Sequence, residues 1–186
     1  MPKKAGALDE RVLFEPALRL TGFILAEAAQ AAEREGFGWK PVDDPPDGFD
    51  AVLAAYEHSR ASGERFPVAR SGSASSIYAG PEANHAFRFL HDMTHVRLEL
   101  GFDPDAELYV AVEHLNALRR GGFAVGSPEW HLLHADTVGQ LVANCVLGRF
   151  VRDQRAFVFD AVLLGLKRAI ENESERRDSG DHEDHK

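Results

Sequence analysis

The 186-residue sequence has one cysteine and two methionines. A single thiol, Cys145, cannot form an intramolecular disulfide or a thiolate zinc site. Because Cys145 lies within the apolar run 141–147, we expect it to be a small buried residue. The most apolar stretch near the N-terminus, 18–32, is interrupted by charged residues and predicts neither a signal peptide nor a membrane span. A cytoplasmic location is therefore expected.

Positive charge is also scarce. Lysine and arginine total 21 against 30 aspartates and glutamates, which gives a formal net charge of −9. Coating a nucleic-acid duplex requires a clustered positive field, so we do not expect that role. A local basic pocket for a small phosphorylated substrate remains compatible with this balance, as does a homo-oligomer. The hydrophobic share of 44% and the length are typical of one globular domain.

Helix start and stop signals predict a mainly α fold, a single-domain bundle of about six helices. The clearest starts are the pairs Asp103–Pro104 and Ser127–Pro128, which combine an N-cap residue with a proline in the first turn. Glycines such as Gly36 and Gly101 mark helix ends. The predicted helices span about 8–35, 49–62, 81–101, 104–121, 128–150 and 154–172.

Two internal stretches fit no helix. The prolines of segment 39–48 exclude a helix or a central strand and predict a connector. Residues 66–78 place turn residues between two short apolar pieces, which predicts a small β-hairpin or an ordered loop. We expect its serine-rich part, 71–76, to act as a loop on the substrate side.

The last fourteen residues, 173–186, are charged and lack apolar side chains. Such a composition predicts a disordered tail after a single helical domain, 1–172. The tail contains His182 and His185, which offer an adventitious metal site at an otherwise solvated end.

The helix predicted over 81–101 carries a polar stripe of unusual composition. His91 and His95 are separated by four positions, and Arg88 and Asp92 lie within the same arc of about 100°. Solvated faces favour lysine and glutamate, whereas this face centres on His-Asp-x-x-His, whose short side chains serve as metal ligands or proton carriers. A solvated helix face is the alternative.

Two later helices carry further polar positions. Glu107 and His114 share a face of the helix predicted over 104–121; they are either near a site or ordinary exposed residues. Asp136, Gln140 and Asn144 recur every four positions in an apolar helix. Buried polar groups need partners, so this stripe predicts either a polar site or a network that ties helices together.

Combining these stripes predicts a metal site between two helices. Imidazole with carboxylate suits divalent Zn, Mn, Fe, Ni or Co, and such an ion supplies hydroxide near neutral pH by lowering the pKa of bound water. The residues expected around the ion are His91, Asp92, His95 and Asp136. The residues expected to support them are Glu107, His114, Gln140 and Asn144.

The run from Phe89 to Asp92 resembles the apolar-apolar-His-Asp signature of the HD-domain phosphohydrolases, a helical superfamily. The resemblance implies metal ligands on three helices: His58, the pair His91 and Asp92, and Asp136. It covers roughly residues 50–145.

The same resemblance implies hydrolysis of a phosphate ester or nucleotide. His95 would then be the nearby acid or base and Arg88 a phosphate clamp. Two departures affect this assignment: Thr94 stands where many members have glycine, and a serine- and glycine-rich insertion follows the helix that contains His58. His85 is therefore an alternative first ligand.

Other interpretations fit the same residues. His-Asp-x-x-His also resembles the zincin metalloprotease motif with Asp92 in place of glutamate and Glu113 as third ligand, although no edge strand for a peptide is evident. A carboxylate-bridged di-metal bundle would need acidic ligands from four helices, and the first helix offers Glu27 or Glu33. The non-enzyme alternative is a helical binding or assembly module whose polar stripes form buried networks or an oligomer interface.

Overall fold

The computed structural model describes residues 10–72 and 75–176. It is 71% helical, which confirms the mainly α prediction. A short 3₁₀ turn, Glu10–Leu13, leads into the first helix. The helices are α1 (Phe14–Glu35), α2 (Phe49–Ser62), α3 (Pro81–Leu98), α4 (Pro104–Arg120), α5 (Pro128–His134), α6 (Gln140–Leu147), α7 (Gln154–Leu164) and α8 (Leu166–Glu175).

The capping residues begin α4 and α5 where the sequence predicts. A carboxylate oxygen of Asp103 accepts hydrogen bonds from the backbone N–H groups of Asp105 and Ala106, each at 3.1 Å. The hydroxyl of Ser127 accepts one from the N–H of Trp130 at 3.2 Å. These bonds satisfy backbone donors that a helix start leaves without partners.

A two-stranded sheet includes the first part of the predicted connector, 39–48, and the first part of the predicted hairpin or loop, 66–78. Strands β1 (Trp39–Val42) and β2 (Phe66–Ala69) pair in parallel, with Trp39 opposite Phe66, and α2 forms the crossover between them. The hairpin alternative is therefore wrong, because the first apolar piece of 66–78 pairs with the earlier strand β1 and not with the second apolar piece. Pro41 and Pro67 are tolerated because both strands of such a sheet are edge strands.

A π turn, Ala135–Gly139, interrupts the long helix predicted over 128–150 and separates α5 from α6. There the N–H of Gln140 reaches back five residues to the carbonyl of Ala135. The helix then ends at Leu147.

The helix predicted over 154–172 is broken at Gly165, whose φ of 90° and ψ of 153° are essentially accessible only to glycine. Helix α8 folds back so that Nη2 of Arg176, just after its last turn, lies 3.0 Å from Oδ2 of Asp160 in α7. It also continues to Glu175, beyond the expected boundary at 172, and Glu173 is fully buried. Residues 177–186 of the predicted tail lie outside the described part of the chain.

Helix α3 lies at the centre of the core. Its buried face, which includes Phe89 and Leu90, packs against α1 and the sheet. The ring of Trp39 stacks on Phe89 at a centroid distance of 5.1 Å. None of the described helices combines the length and hydrophobicity that a membrane crossing requires. The opposite face of α3 carries the polar stripe.

Candidate metal centre

Three potential ligands converge where α3 meets α4. His91 and His95 of α3 and Glu107 of α4 each contribute an atom that lies within 4.8 Å of the other two. The Nε2 atoms of the histidines are 3.0 Å apart, and Glu107 oxygens lie 3.4 Å from His91 Nε2 and 3.7 Å from His95 Nε2. Among residues 10–72 and 75–176, no other group of three histidine, cysteine or acidic side chains meets this spacing.

Local sequence explains this convergence. A spacing of four residues places both histidines on one face of α3. Five residues separate the end of α3 from Pro104, so the first turn of α4 lies beside the last turns of α3. Asp103 caps α4, and Glu107 follows within the first turns. A carboxylate near a helix N-terminus is also stabilised by the helix dipole.

The ring of His95 is fixed by its surroundings. Its side chain is 0% exposed, its Nδ1 lies 3.1 Å from the carbonyl oxygen of Leu100, and the ring of Phe102 meets it edge-on at a centroid distance of 4.5 Å. A carbonyl only accepts hydrogen bonds, so Nδ1 carries the proton and donates it. In the neutral ring, Nε2 therefore keeps its lone pair towards His91 and Glu107.

Burial and charge act in opposite directions on Glu107 and His91. Burial raises the pKa of Glu107, but the His91 side chain, whose Nε2 lies 3.4 Å from Glu107, and the charges of His91 and His95 outweigh it and lower this pKa to about 2. Burial lowers the pKa of His91, but the hydrogen bond and charge of Glu107 and the charge of Asp92 raise it above the usual 6.5. The site thus holds an ionised carboxylate at neutral pH, as cation binding requires.

Asp92 and Arg88 lie beside the cluster and outside it. Burial raises the pKa of Asp92 to about 6, against the lowering charges of His91, His95 and Arg88. Arg88 donates a hydrogen bond from Nη1 to the carbonyl oxygen of Ala69 on β2, which anchors its guanidinium to the sheet. The phosphate-clamp prediction therefore concerns an arginine that already has a partner.

The structure does not bring Asp136 into the metal cluster. Its Oδ2 accepts a hydrogen bond from the Tyr78 hydroxyl at 2.9 Å, and its Oδ1 accepts one from Gln140 Nε2 at 2.7 Å. Burial raises the pKa of Asp136 to about 6, although both hydrogen bonds lower it. Asp136 and Gln140 instead form a polar group on the wall of the adjacent cavity, together with Asn144.

The two candidates for the first ligand also lie outside the cluster. His58 is exposed on α2, with its Nε2 3.6 Å from Glu64. His85 is buried on α3, and its Nε2 has no hydrogen-bond partner. The predicted set His58, His91, Asp92 and Asp136 is thus replaced by one with two members of α3 and one of α4.

His114 supports the cluster from α4. It is buried, and its ring stacks on His91 at a centroid distance of 5.6 Å. Burial, followed by the charges of His91 and His95, lowers the pKa of His114 to about 3, so the ring is neutral. Its Nε2 has no hydrogen-bond partner. Glu107, predicted to support the site in the same way, is instead one of the three potential ligands.

A cavity of about 740 Å³ opens beside the cluster. Its walls are largely apolar, and four carboxyl groups and one guanidinium also line it. Cys145 lies at this cavity and is exposed, so the expectation of a buried thiol is wrong. The four acidic residues are Asp47, Asp92, Glu107 and Asp136, and the basic residue is Arg88.

The described residues of the serine-rich loop do not line this cavity. Strand β2 lines it through Pro67, Val68 and Ala69, whereas the described residues of 71–76 do not. Ser73 and Ala74 of that loop lie outside the described residues. The expected substrate-side role therefore has no support from the part of the loop that is described.

Sequence reasoning did not include Glu107 among the potential ligands, although a signal was available. The Asp103–Pro104 start fixes where α4 begins, and the short turn before it makes α3 and α4 neighbours. A carboxylate in the early turns of α4 then faces the end of α3.

None of the protein-family models, curated proteins or solved structures compared with this chain matches it.

Proposed function

We propose that the protein is a metal-dependent enzyme that holds one divalent ion with His91, His95 and Glu107. The observation that carries this proposal is the convergence of two imidazole nitrogens and one carboxylate within 4.8 Å. Two histidines and one acidic residue form the ligand set of several zinc hydrolases and of non-haem iron enzymes. Three protein ligands leave room for water or substrate at a catalytic metal.

Hydrolysis is the reaction class that we propose. A bound divalent ion lowers the pKa of water to near neutrality. We assign the role of proton acceptor to Asp92, which follows His91 directly and lines the same cavity. His114 keeps His91 in place by stacking on it.

The cavity lining favours an uncharged or cationic substrate with apolar surface. Four carboxyl groups outnumber the positive charges of the one guanidinium and of the proposed divalent ion taken together, and that guanidinium is bonded to Ala69. A phosphate ester would bring negative charge beside these carboxylates, and like charges repel. Phosphate-ester hydrolysis remains a prediction from the HD-domain resemblance, and we favour a neutral ester or amide.

Metal content is the direct test of the ligand set. We expect the purified protein, with His182→Ala and His185→Ala removing the tail histidines, to bind one equivalent of zinc or cobalt. Glu107→Gln and His95→Ala should weaken binding at least tenfold, whereas Glu113→Gln, a matched change farther along α4, should not. Asp136→Asn should retain the metal. Failure of the parent protein to bind, or equal losses in Asp136→Asn and Glu107→Gln, would overturn the proposal.

Activity assays test the proposed role of Asp92. Neutral p-nitrophenyl esters and anilides should be cleaved faster than p-nitrophenyl phosphate by the metal-loaded protein. Asp92→Asn should lower kcat roughly 10²–10⁴-fold, the usual contribution of a general base, while metal content stays at one equivalent. A full rate in Asp92→Asn would remove Asp92 from the mechanism but leave the metal site standing.

A further inference from the structure

We propose that the turn formed by Glu99 and Leu100 is a positioning element that sets the tautomer of His95 and thereby the metal affinity of the site. This inference rests on the proposed metal site. Its starting point is the backbone of Glu99, with φ of 55° and ψ of 39°. Among the described residues, Glu99 is the one non-glycine residue with positive φ. Such outliers persist where the surrounding structure requires them, often at functional sites.

The left-handed residue closes α3 in a Schellman motif. The N–H of Leu100 donates to the carbonyl of His95 at 3.1 Å, and the N–H of Glu99 donates to the carbonyl of Val96 at 3.2 Å. The same Leu100 then accepts a hydrogen bond from His95 Nδ1 through its own carbonyl at 3.1 Å. One residue thus holds both the backbone and the ring of His95.

Burial makes this carbonyl hard to replace. The His95 side chain is 0% exposed, and Phe102 covers one side of its ring. If the turn opened, water could not readily take over as acceptor, and the Nδ1–H would lose its partner. The ring would then no longer be held with its Nε2 lone pair facing Glu107. Loss of a group that orients a ligating histidine typically costs 10–100-fold in metal affinity.

The carbonyl itself survives every side-chain substitution, so the test acts on the backbone angle. Glu99→Gly accepts the left-handed conformation without strain and should bind Co²⁺ within about threefold of the parent protein. Glu99→Val disfavours that conformation, because β-branched residues rarely adopt positive φ, and should weaken binding about 10–100-fold. Glu57→Val is the matched control, since Glu57 is exposed in the ordinary helix α2.

The tautomer gives a readout that a merely structural role would not move. In metal-free protein at about pH 8, ¹⁵N–¹H correlation spectra should show the neutral ring of His95 with its proton on Nδ1. Glu99→Val should shift the ring towards a mixture of tautomers, while Glu57→Val should not.

Three results would overturn the inference. These are a proton on His95 Nε2 in the metal-free parent protein, unchanged Co²⁺ affinity in folded Glu99→Val, and equal losses in Glu99→Gly and Glu99→Val. If Glu99→Val does not fold, the tautomer of His95 in the parent protein still tests the inference, because a proton on Nε2 would overturn it. Absence of any Co²⁺ binding to the parent would reject the metal site itself, and the tautomer measurement separates that failure from this one.

Discussion

The carboxyl groups that line the cavity experience opposite surroundings. Glu107 faces two imidazoles and is ionised well below neutral pH, with a pKa of about 2. Asp136 faces the hydroxyl of Tyr78 and the amide of Gln140, and burial raises its pKa to about 6. Glu107 is therefore suited to binding a cation, whereas ionising Asp136 costs free energy in the folded protein.

That cost makes the stability of the protein depend on pH through Asp136. In the folded state the carboxyl group of Asp136 keeps its proton up to about pH 6, whereas its pKa in the unfolded chain is 3.8. Stability is therefore lost as pH rises from about 4 to 6. Asp136→Asn removes the charge, and a reoriented Gln140 amide still pairs with the new side chain. We expect the variant to be more stable at pH 7 by roughly 1–3 kcal/mol, measured by urea unfolding. No gain at pH 7, or an equal gain at pH 4, would contradict this reasoning.

Sequence reasoning named His91 and His95 correctly as neighbours but expected Asp136 beside them, where the structure has Glu107. Spacing along one helix determines which side chains share a face, so the histidine pair was predictable. It does not determine which face of another helix they meet. That depends on the short turn after α3 and on the Tyr78 and Gln140 contacts of Asp136, which are tertiary.

At the scale of elements, α8 is held by a buried carboxylate. Glu173 is fully buried. Its Oε1 accepts hydrogen bonds from Arg149 and from the backbone N–H of Arg152, each at 2.8 Å. Arg176 bonds the other oxygen at 2.8 Å. Burial raises the pKa of Glu173, but these bonds lower it below 4.5. The charged C-terminal composition that predicted a tail from residue 173 concealed this anchor.

Replacing Glu173 should uncouple α8 from the segment before α7. Glu173→Ala removes the carboxylate shared by Arg149 and Arg176, while Arg176 keeps its bond to Asp160, and we expect a loss of about 1.5–3 kcal/mol in the free energy of unfolding. Glu171→Ala, at a partly exposed position of the same helix, should change it by less than about 1 kcal/mol. Because the folded pKa of Glu173 is depressed, its contribution is present above pH 4.5 and is lost as pH falls through the folded value. Equal losses in both variants would contradict the anchor.

Glycine has opposite effects in α1 and at the α7–α8 junction. Gly165 adopts a glycine-only conformation, so Gly165→Ala should destabilise the protein by about 1–3 kcal/mol. Gly22 is exposed within α1, and an added Cβ would meet no atom within 4 Å. Gly22→Ala should therefore stabilise the protein by about 0.5–1 kcal/mol. Thermal unfolding of both variants checks the pair; shifts of the same sign would count against the break at Gly165.

The positions of the helices were predictable because capping residues and apolar periodicity act locally. The parallel pairing of Trp39 with Phe66 was not, because it joins segments on either side of α2. The break at Gly165 was also missed, since a lone glycine is tolerated in many helices.

At the scale of the whole molecule, the proposed metal site links α3 to α4 beside the cavity. An ion bound in the folded state and not in the unfolded chain stabilises the fold by about 2.7 kcal/mol at a hundredfold excess over Kd. For a protein of this size we expect a rise in Tm of roughly 5–10 °C. Calorimetry with Glu107→Gln as the control tests this expectation. A rise of the same size in that variant would place the binding elsewhere. Association into a homo-oligomer stays a prediction.

The π turn over 135–139 is equivalent to one residue inserted into a continuous helix. The wider turn accommodates that residue, so a chain one residue shorter here could run as an unbroken α-helix with Gln140 and Asn144 still facing the cavity. A residue inserted or deleted within α6 has no such accommodation and would rotate every later side chain of that helix by about 100°. Changes of chain length are therefore expected to be tolerated at the turn and to disturb the cavity wall elsewhere in this helix.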